Sequence, residues 1–225
     1  NCWAEGMSKR QKQDFYKPHL IPELLLAPLR VKKPSVILVD FMGDLFGDWV
    51  NQHQIISLPD PISGFVVNEQ LWWWVQEVMR LCPQHTFLFL TKNPAGLIPW
   101  GNFPDNAWVG VSVCNQRMFD KAMIYLSDVE AKHKWLSFEP LLEEIKIQPG
   151  DLDDIGWCVI GRQDKPTKYP EINWVQEILV AAHNVEHTDG NDMPIWIKKN
   201  LQPFLEQKWP GWKILQERPE RRVTA

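Results

Sequence analysis

The residues in this chain that are able to do chemistry stand where apolar runs stop. Asp40 and Asp44 close or follow "SVILVDF", Thr91 and Lys92 end "TFLFLT", and Ser112 and Asn115 follow from "AWVGVSV". Further on, Ser137 and Glu139 close "KWLSFE", Gly161 and Arg162 end "IGWCVIG", and Lys198 and Lys199 end "PIWIKK". Carboxylates, ammonium groups and hydroxyls in such places can bind a polar ligand, move protons, or pair with one another and tie loops together. Lys92, Glu139 and Lys198 are the sharpest cases. Each abuts an apolar run directly, and a half-buried charge is costly without a partner or a ligand.

Several other chemistries find no support. Cys2, Cys82, Cys114 and Cys158 are far apart and form no C-x-x-C pair, so spacing alone gives neither a zinc site nor a disulfide framework. No G-x-G-x-x-G, G-x-x-x-x-G-K-S/T or G-x-S-x-G occurs, which leaves no signal for a phosphate-cradling loop or a nucleophile elbow. His183 and His187 have a metal-ligand spacing, but "HNVEHTDGND" runs into a loop, and they read as surface residues.

Periodicity supplies the elements that would position the strand-end residues. Six short β-branched or aromatic runs, at 35–41, 86–91, 107–113, 134–139, 155–161 and 194–199, alternate with helical stripes. Val67, Leu71, Trp74, Val75, Val78 and Met79 make one stripe, and Met118, Phe119, Ala122, Met123 and Leu126 a second. Ile172, Val175, Ile178, Leu179 and Ala182 make a third. The connections after Thr91 and Glu139 hold a turn or two of helix at most, and the opening "CWAEGMSKRQK" reads as an amphipathic helix. Near-continuous apolar strands separated by crossovers predict an α/β fold with parallel strands and outer helices. Ligands in such folds bind at the carboxyl ends of the strands, so the residues named above are expected to share a pocket.

A chain of 225 residues suits one globular unit. With 24 basic and 28 acidic residues there is no overall charge bias toward nucleic acid or membrane. The apolar runs fall far short of the roughly 20 residues that cross a bilayer, so no membrane partner is expected and a cytoplasmic location is the default. Thirteen tryptophans, mostly in periodic apolar segments, are expected in the core. The end "EQKWPGWKILQERPERRVTA" interleaves basic residues with Trp209 and Trp212; it reads as a solvated tail, with contact to a phosphate backbone as the alternative.

Taken together, "FMGDLFGDWV", "HTFLFLTKNP", "WVGVSVCNQ", "WLSFEPLL", "WCVIG" and "PIWIKKNL" resemble, in order and approximate spacing, a phage and bacterial family that is radical S-adenosylmethionine (SAM)-like and is sometimes called the three-Cys-motif family. The resemblance covers residues 1 to about 205 and implies a partial (β/α) barrel of radical SAM type over 1–205, followed by a tail over 206–225. It also implies a 4Fe–4S cluster on three thiolates and SAM as cofactor, with reductive cleavage of SAM and abstraction of a hydrogen atom from substrate. "NCWAE" resembles the end of the cysteine motif, with Cys2 as its third cysteine; the first two would lie upstream of Asn1. After "CVIG" the sequence departs from the family, because Gly161 meets "RQDKPTKYP" directly, and Arg162 and Gln163 receive no role.

Residue by residue, the resemblance makes Cys2 a cluster ligand and puts Met42, Gly43 and Asp44 where such proteins hold the methionyl amino group. Ser112 and Asn115 would meet the SAM ribose or carboxylate. Glu139, Lys198 and Lys92 would face the substrate, with Thr91 beside them. The structural alternative for each is a bond that ties the strand ends together. The expected function is that of a radical SAM enzyme acting on an unknown substrate, with a nucleobase or nucleic acid as the candidate. The alternative is a barrel without a cluster, serving through a protein partner as a phage binding or assembly module.

Overall fold

The computed structural model describes residues 3–10, 14, 16, 17, 19–41, 43–185, 192–211 and 215–218, with only the backbone at 3, 4 and 7. Along the chain run α1 (Trp3–Arg10), β1 (Val36–Val39), β2 (Ile55–Pro59), β3 (Val66–Gln70), α2 (Leu71–Leu81), β4 (Thr86–Thr91) and β5 (Ala107–Ser112). There follow α3 (Gln116–Asp128), β6 (His133–Phe138), β7 (Cys158–Ile160), α4 (Ile172–His183), β8 (Ile195–Ile197) and α5 (Gln202–Lys208). Two 3₁₀ segments, Pro22–Arg30 and Pro94–Trp100, each start on proline, whose fixed φ suits a helix start, and each contains a second proline that denies it a continuous hydrogen-bond ladder.

Six strands form one sheet in the order β1-β4-β5-β6-β7-β8. The β1–β4, β6–β7 and β7–β8 pairs are parallel. Each crossover adds its strand on the same side of the one before, so the order never reverses. That is the progression of a partial (β/α) barrel and not of a doubly wound sheet. All six runs read from the sequence form strands, the last two shortened to three residues each. No helix among the described residues is long and apolar enough to cross a membrane.

The chain divides into two compact units, residues 1–109 with 129–132 and residues 110–128 with 133–225. In the first, α2 buries Leu71, Trp74, Val75, Val78 and Met79, the predicted stripe less Val67. Val67 belongs instead to β3, which pairs antiparallel with β2 in a hairpin that the helical reading of this stretch missed. The hairpin is fastened to α2 by the Trp74 indole, fully buried, donating to the Ile56 carbonyl at 3.0 Å. Phe46 sits edge-on to Phe89, Trp100 and Phe103 with centroids 5.2–6.1 Å away, so the loop after β1 is part of this core. His85, 1 % exposed, accepts from the Ser35 N–H through Nδ1 and meets the Val31 carbonyl at 3.0 Å through Nε2, which joins the segment before β1 to the start of β4.

In the second unit, α3 buries Phe119, Ala122 and Leu126, and α4 buries Val175, Ile178 and Ala182, in line with the predicted stripes. Trp135 of β6 lies 5.0 Å from Trp157, and a Cβ on Gly110 would stand 2.2 Å from the Trp135 ring, so only glycine fits at that point of β5. Residues 215–217, which the sequence reading gives to a tail, run antiparallel to β8: the Ile197 N–H donates to Leu215 and the Glu217 N–H to Ile195. The Trp157 indole donates to the Glu217 carbonyl, and Arg218 lies over Trp196. These bonds occupy the outer edge of β8, which would otherwise present unpaired backbone groups.

Candidate functional site

In the first unit the loop "DFMGDLFGD" is wired into the end of β4. Asp40 closes β1 with φ 49°, in the left-handed region that Asp tolerates better than most residues. Its Oδ1 accepts the Gly43 N–H at 3.2 Å, and a Cβ on Gly43 would lie 2.7 Å from that oxygen, so a glycine is needed for the carboxylate to fold back. Partial shielding of the Asp40 carboxyl from water raises its pKa above the usual aspartate value; the Gly43 N–H opposes this rise and the Asp44 charge adds to it.

Asp44 is committed further. Its Oδ2 accepts the Thr91 hydroxyl at 2.9 Å and the Lys92 N–H at 3.0 Å, and its Oδ1 accepts the Phe46 N–H at 3.1 Å. Asn93 continues the seam, donating from Nδ2 to the Phe46 carbonyl and to Asp48 Oδ1. A carboxylate that accepts three donors is a lock between the loop after β1 and the end of β4. Lys92 enters this seam through its backbone; its side chain is exposed rather than half-buried, which removes the cost that singled it out in the sequence.

In the second unit the ends of β5 through β8 carry the predicted residues. Ser112 is buried, 4 % exposed, at the end of β5. Asn115 caps α3: its Oδ1 accepts the Met118 N–H at 2.9 Å, while Glu143 Oε1 accepts the Gln116 N–H at 2.8 Å. Glu139, at the end of β6 and before a cis peptide bond to Pro140, reaches Lys198 at the end of β8, with Oε2 to Nζ 2.8 Å. These strands are two positions apart in the sheet, and between them lies β7, ended by Gly161. A Cβ on Gly161 would stand 2.9 Å from Glu139 Oε1, so the glycine leaves the space through which Glu139 crosses β7 to its partner. The pair is half-open to solvent, with side-chain exposures of 43 % for Lys198 and 26 % for Glu139. The two charges that the sequence marked as needing a partner or a ligand are therefore each other's partner.

The Gly161–Lys168 loop, left without a role by the sequence, also belongs to this end of the sheet. Arg162 Nε donates to the Asn200 carbonyl at 2.6 Å, and Asn200 Nδ2 donates back to the Arg162 carbonyl at 3.3 Å. Gln163 and Lys168 close the loop through reciprocal backbone bonds. Arg162 and Asn200 stand 38 residues apart and carry no local motif; only the parallel pairing of β7 and β8 brings them together.

Of the other predicted positions, Cys2, Met42 and His187 lie outside the described residues. Exposed His183 stands 3.9 Å from Asp192. The described cysteines are buried, Cys82 raised in pKa by burial and Cys158 pushed up to about 12 for the same reason. Among the described residues no group of three or more His, Cys, Asp or Glu could hold a metal ion. Cys82, Cys114 and Cys158 stand far apart in the sequence, and with no such group among the described residues they do not make a three-thiolate set for a 4Fe–4S group.

No curated protein and no solved structure matches the chain. One family model does, over residues 1–188, a span that holds the Asp44 seam, Asn115 and Glu139 and stops short of Lys198. On that match the chain belongs to the family described as protein of unknown function, DUF5131.

Proposed function

We propose that this protein is a radical SAM-like enzyme whose substrate meets the carboxyl ends of β6, β7 and β8. The observation that carries the reading is the Glu139–Lys198 pair, held across Gly161 and half-open to solvent at the end of the sheet where α/β folds bind ligands. The one-directional strand order supports it, as does the resemblance of "NCWAE" to the end of a cluster-binding motif. Cys2 would be one ligand of the 4Fe–4S cluster, the others coming from outside the described residues. The cluster, when bound, supplies the electron that cleaves SAM. What the described residues of the second unit contribute is local: Asn115 holds the first turn of α3 in place, and Glu139 and Lys198 would face the substrate.

The test is anaerobic reconstitution of the intact gene product with iron and sulfide, followed by SAM and dithionite and quantification of 5′-deoxyadenosine. Formation above a Cys2→Ala control is expected. An intact protein that binds no iron and forms no 5′-deoxyadenosine would sink the proposal and favour a binding module. One observation favours that second reading: Ile62, Phe65 and Val66 at the β2–β3 turn are 75 %, 78 % and 68 % exposed. They lie on the hairpin, however, while the strand ends stay polar.

A further inference from the structure

We propose that the outward face of the β2–β3 hairpin packs on the same face of a second copy of this chain, across a two-fold axis. The face lies in the first unit and takes no part in the chemistry proposed above. The hairpin has two unlike sides. Ile56 and Leu58 are 3 % and 4 % exposed, on the side fastened to α2 by the Trp74 bond to the Ile56 carbonyl. Ile55, Ser57 and Pro59 alternate with them and so point the other way, opposite Gln70, Asn68 and Val66 of β3. Here Ile55 is 58 % and Val66 68 % exposed, and Ile62 and Phe65 at the turn are 75 % and 78 % exposed. A two-stranded sheet is marginal until its apolar surface is covered, and α2 covers one side only.

Three observations select a second copy as the occupant. The first is area. These four large apolar residues, with exposed Pro59, Pro61, Ser57 and Asn68, offer about 700 Å² per copy, close to the roughly 800 Å² that each partner gives to a stable interface. The second is self-complementarity. The polar side chains at the centre of the face are bonded to each other, the Ser57 hydroxyl donating to Asn68 Oδ1. Covering them therefore breaks no bond, and Asn68 Nδ2 is left to donate across the axis to Ser57 of the second copy. The third is charge. No Lys or Arg occurs between Lys33 and Arg80, so the hairpin attracts neither a phosphate backbone nor an anionic lipid surface. Asp60 is turned to its own loop, where it accepts the Ile62 and Ser63 N–H groups. The outward face itself carries no charge, and two copies meet there without repulsion.

The test is sedimentation velocity of the full chain from about 1 to about 100 μM, a range in which an interface of this size is expected to assemble a dimer. Phe65→Ser, at a site open to solvent, is expected to weaken the dimer about tenfold or more. Asn68→Asp keeps the acceptor for Ser57, and so the hairpin, but sets like charges against each other across the axis; it is expected to weaken the dimer by at least the same factor at neutral pH. Ile124→Ser, 65 % exposed on α3, is expected to change nothing. Each variant is checked for an unchanged far-ultraviolet circular dichroism spectrum. A monomer at every concentration, a dimer that either hairpin variant leaves intact, or an equal loss with Ile124→Ser overturns the proposal. So does a monomer that sediments with phosphatidylcholine vesicles and is released by Phe65→Ser, which would make the face a membrane contact. None of these readouts involves iron or SAM, so their failure and a failure to form 5′-deoxyadenosine are separate results.

Discussion

Replacing Asp44 separates a lock from a ligand-binding group. The carboxylate takes three donors, the Thr91 hydroxyl, the Lys92 N–H and the Phe46 N–H. Hydrogen bonds to a charged acceptor contribute about 1.5–3 kcal/mol each when shielded and less where water competes. Thr91 is 1 % exposed, so its hydroxyl loses an acceptor that water cannot easily replace, whereas Lys92 is exposed and its N–H can turn to solvent. Asp44→Ala is therefore expected to cost about 3 kcal/mol. Asp44→Asn, with its oxygen toward Thr91 and Lys92, keeps two of the three bonds and is expected to cost about 1 kcal/mol. Urea denaturation followed by tryptophan fluorescence reads both values, with an unchanged slope showing that the unfolded state is not what moved. Thr91→Val should couple to Asp44→Ala, the double variant losing at least about 1 kcal/mol less than the sum. A loss under about 1 kcal/mol for Asp44→Ala refutes the lock and returns Asp44 to the list of groups free to meet SAM.

Three further outcomes follow from the geometry. Gly161→Ala drives Glu139 away from Lys198, yet a half-exposed pair contributes about 1 kcal/mol at most, so stability should change by no more than that and Glu139→Gln should add nothing in the Gly161→Ala background; an additive further loss would show that the glycine does not serve the pair. Folded Asp40 holds its proton more tightly than the unfolded chain, so the stability linked to it is present in acid and is lost as pH rises from 3.8 through the folded value. Asp40→Asn, which keeps an acceptor for Gly43, should then be more stable than the parent at neutral pH by less than about 1 kcal/mol, with the gap closing below pH 3.8, as thermal unfolding across pH will show. Cys82, Cys114 and Cys158 should resist iodoacetamide in the native protein and react on unfolding; rapid labelling of Cys158, whose thiol is pushed up to about 12, would contradict its burial.

The strands were legible because each is an apolar, β-branched run bounded by a polar residue, and α3 and α4 because their stripes keep one period. The β2–β3 hairpin was not. "VVNEQ" runs without a break into "LWWWV", so Val67 fits the helical spacing of Leu71 and Trp74, and only pairing with β2 shows that the helix starts at Leu71. The site was legible as a set of positions but not as a set of roles. Asp44, Asn115 and Glu139 look alike in sequence, each a polar residue after an apolar run. What divides them is which donors the fold brings within reach: Thr91 and Lys92 for Asp44, the first turn of α3 for Asn115, and Lys198, from two strands away, for Glu139. Asn200 escaped notice because its bonds run to Arg162, 38 residues away in the sequence.

Trp135 and Trp157, 5.0 Å apart and tilted by 35°, are close enough for their indole transitions to couple. The pair bridges β6 and the entry to β7, and the Trp157 N–H also holds the Glu217 carbonyl. The near-ultraviolet circular dichroism of the unmodified protein should therefore carry an optical signature of this contact. Loosening of the 215–218 segment would then register as a change in that signature, with no label attached.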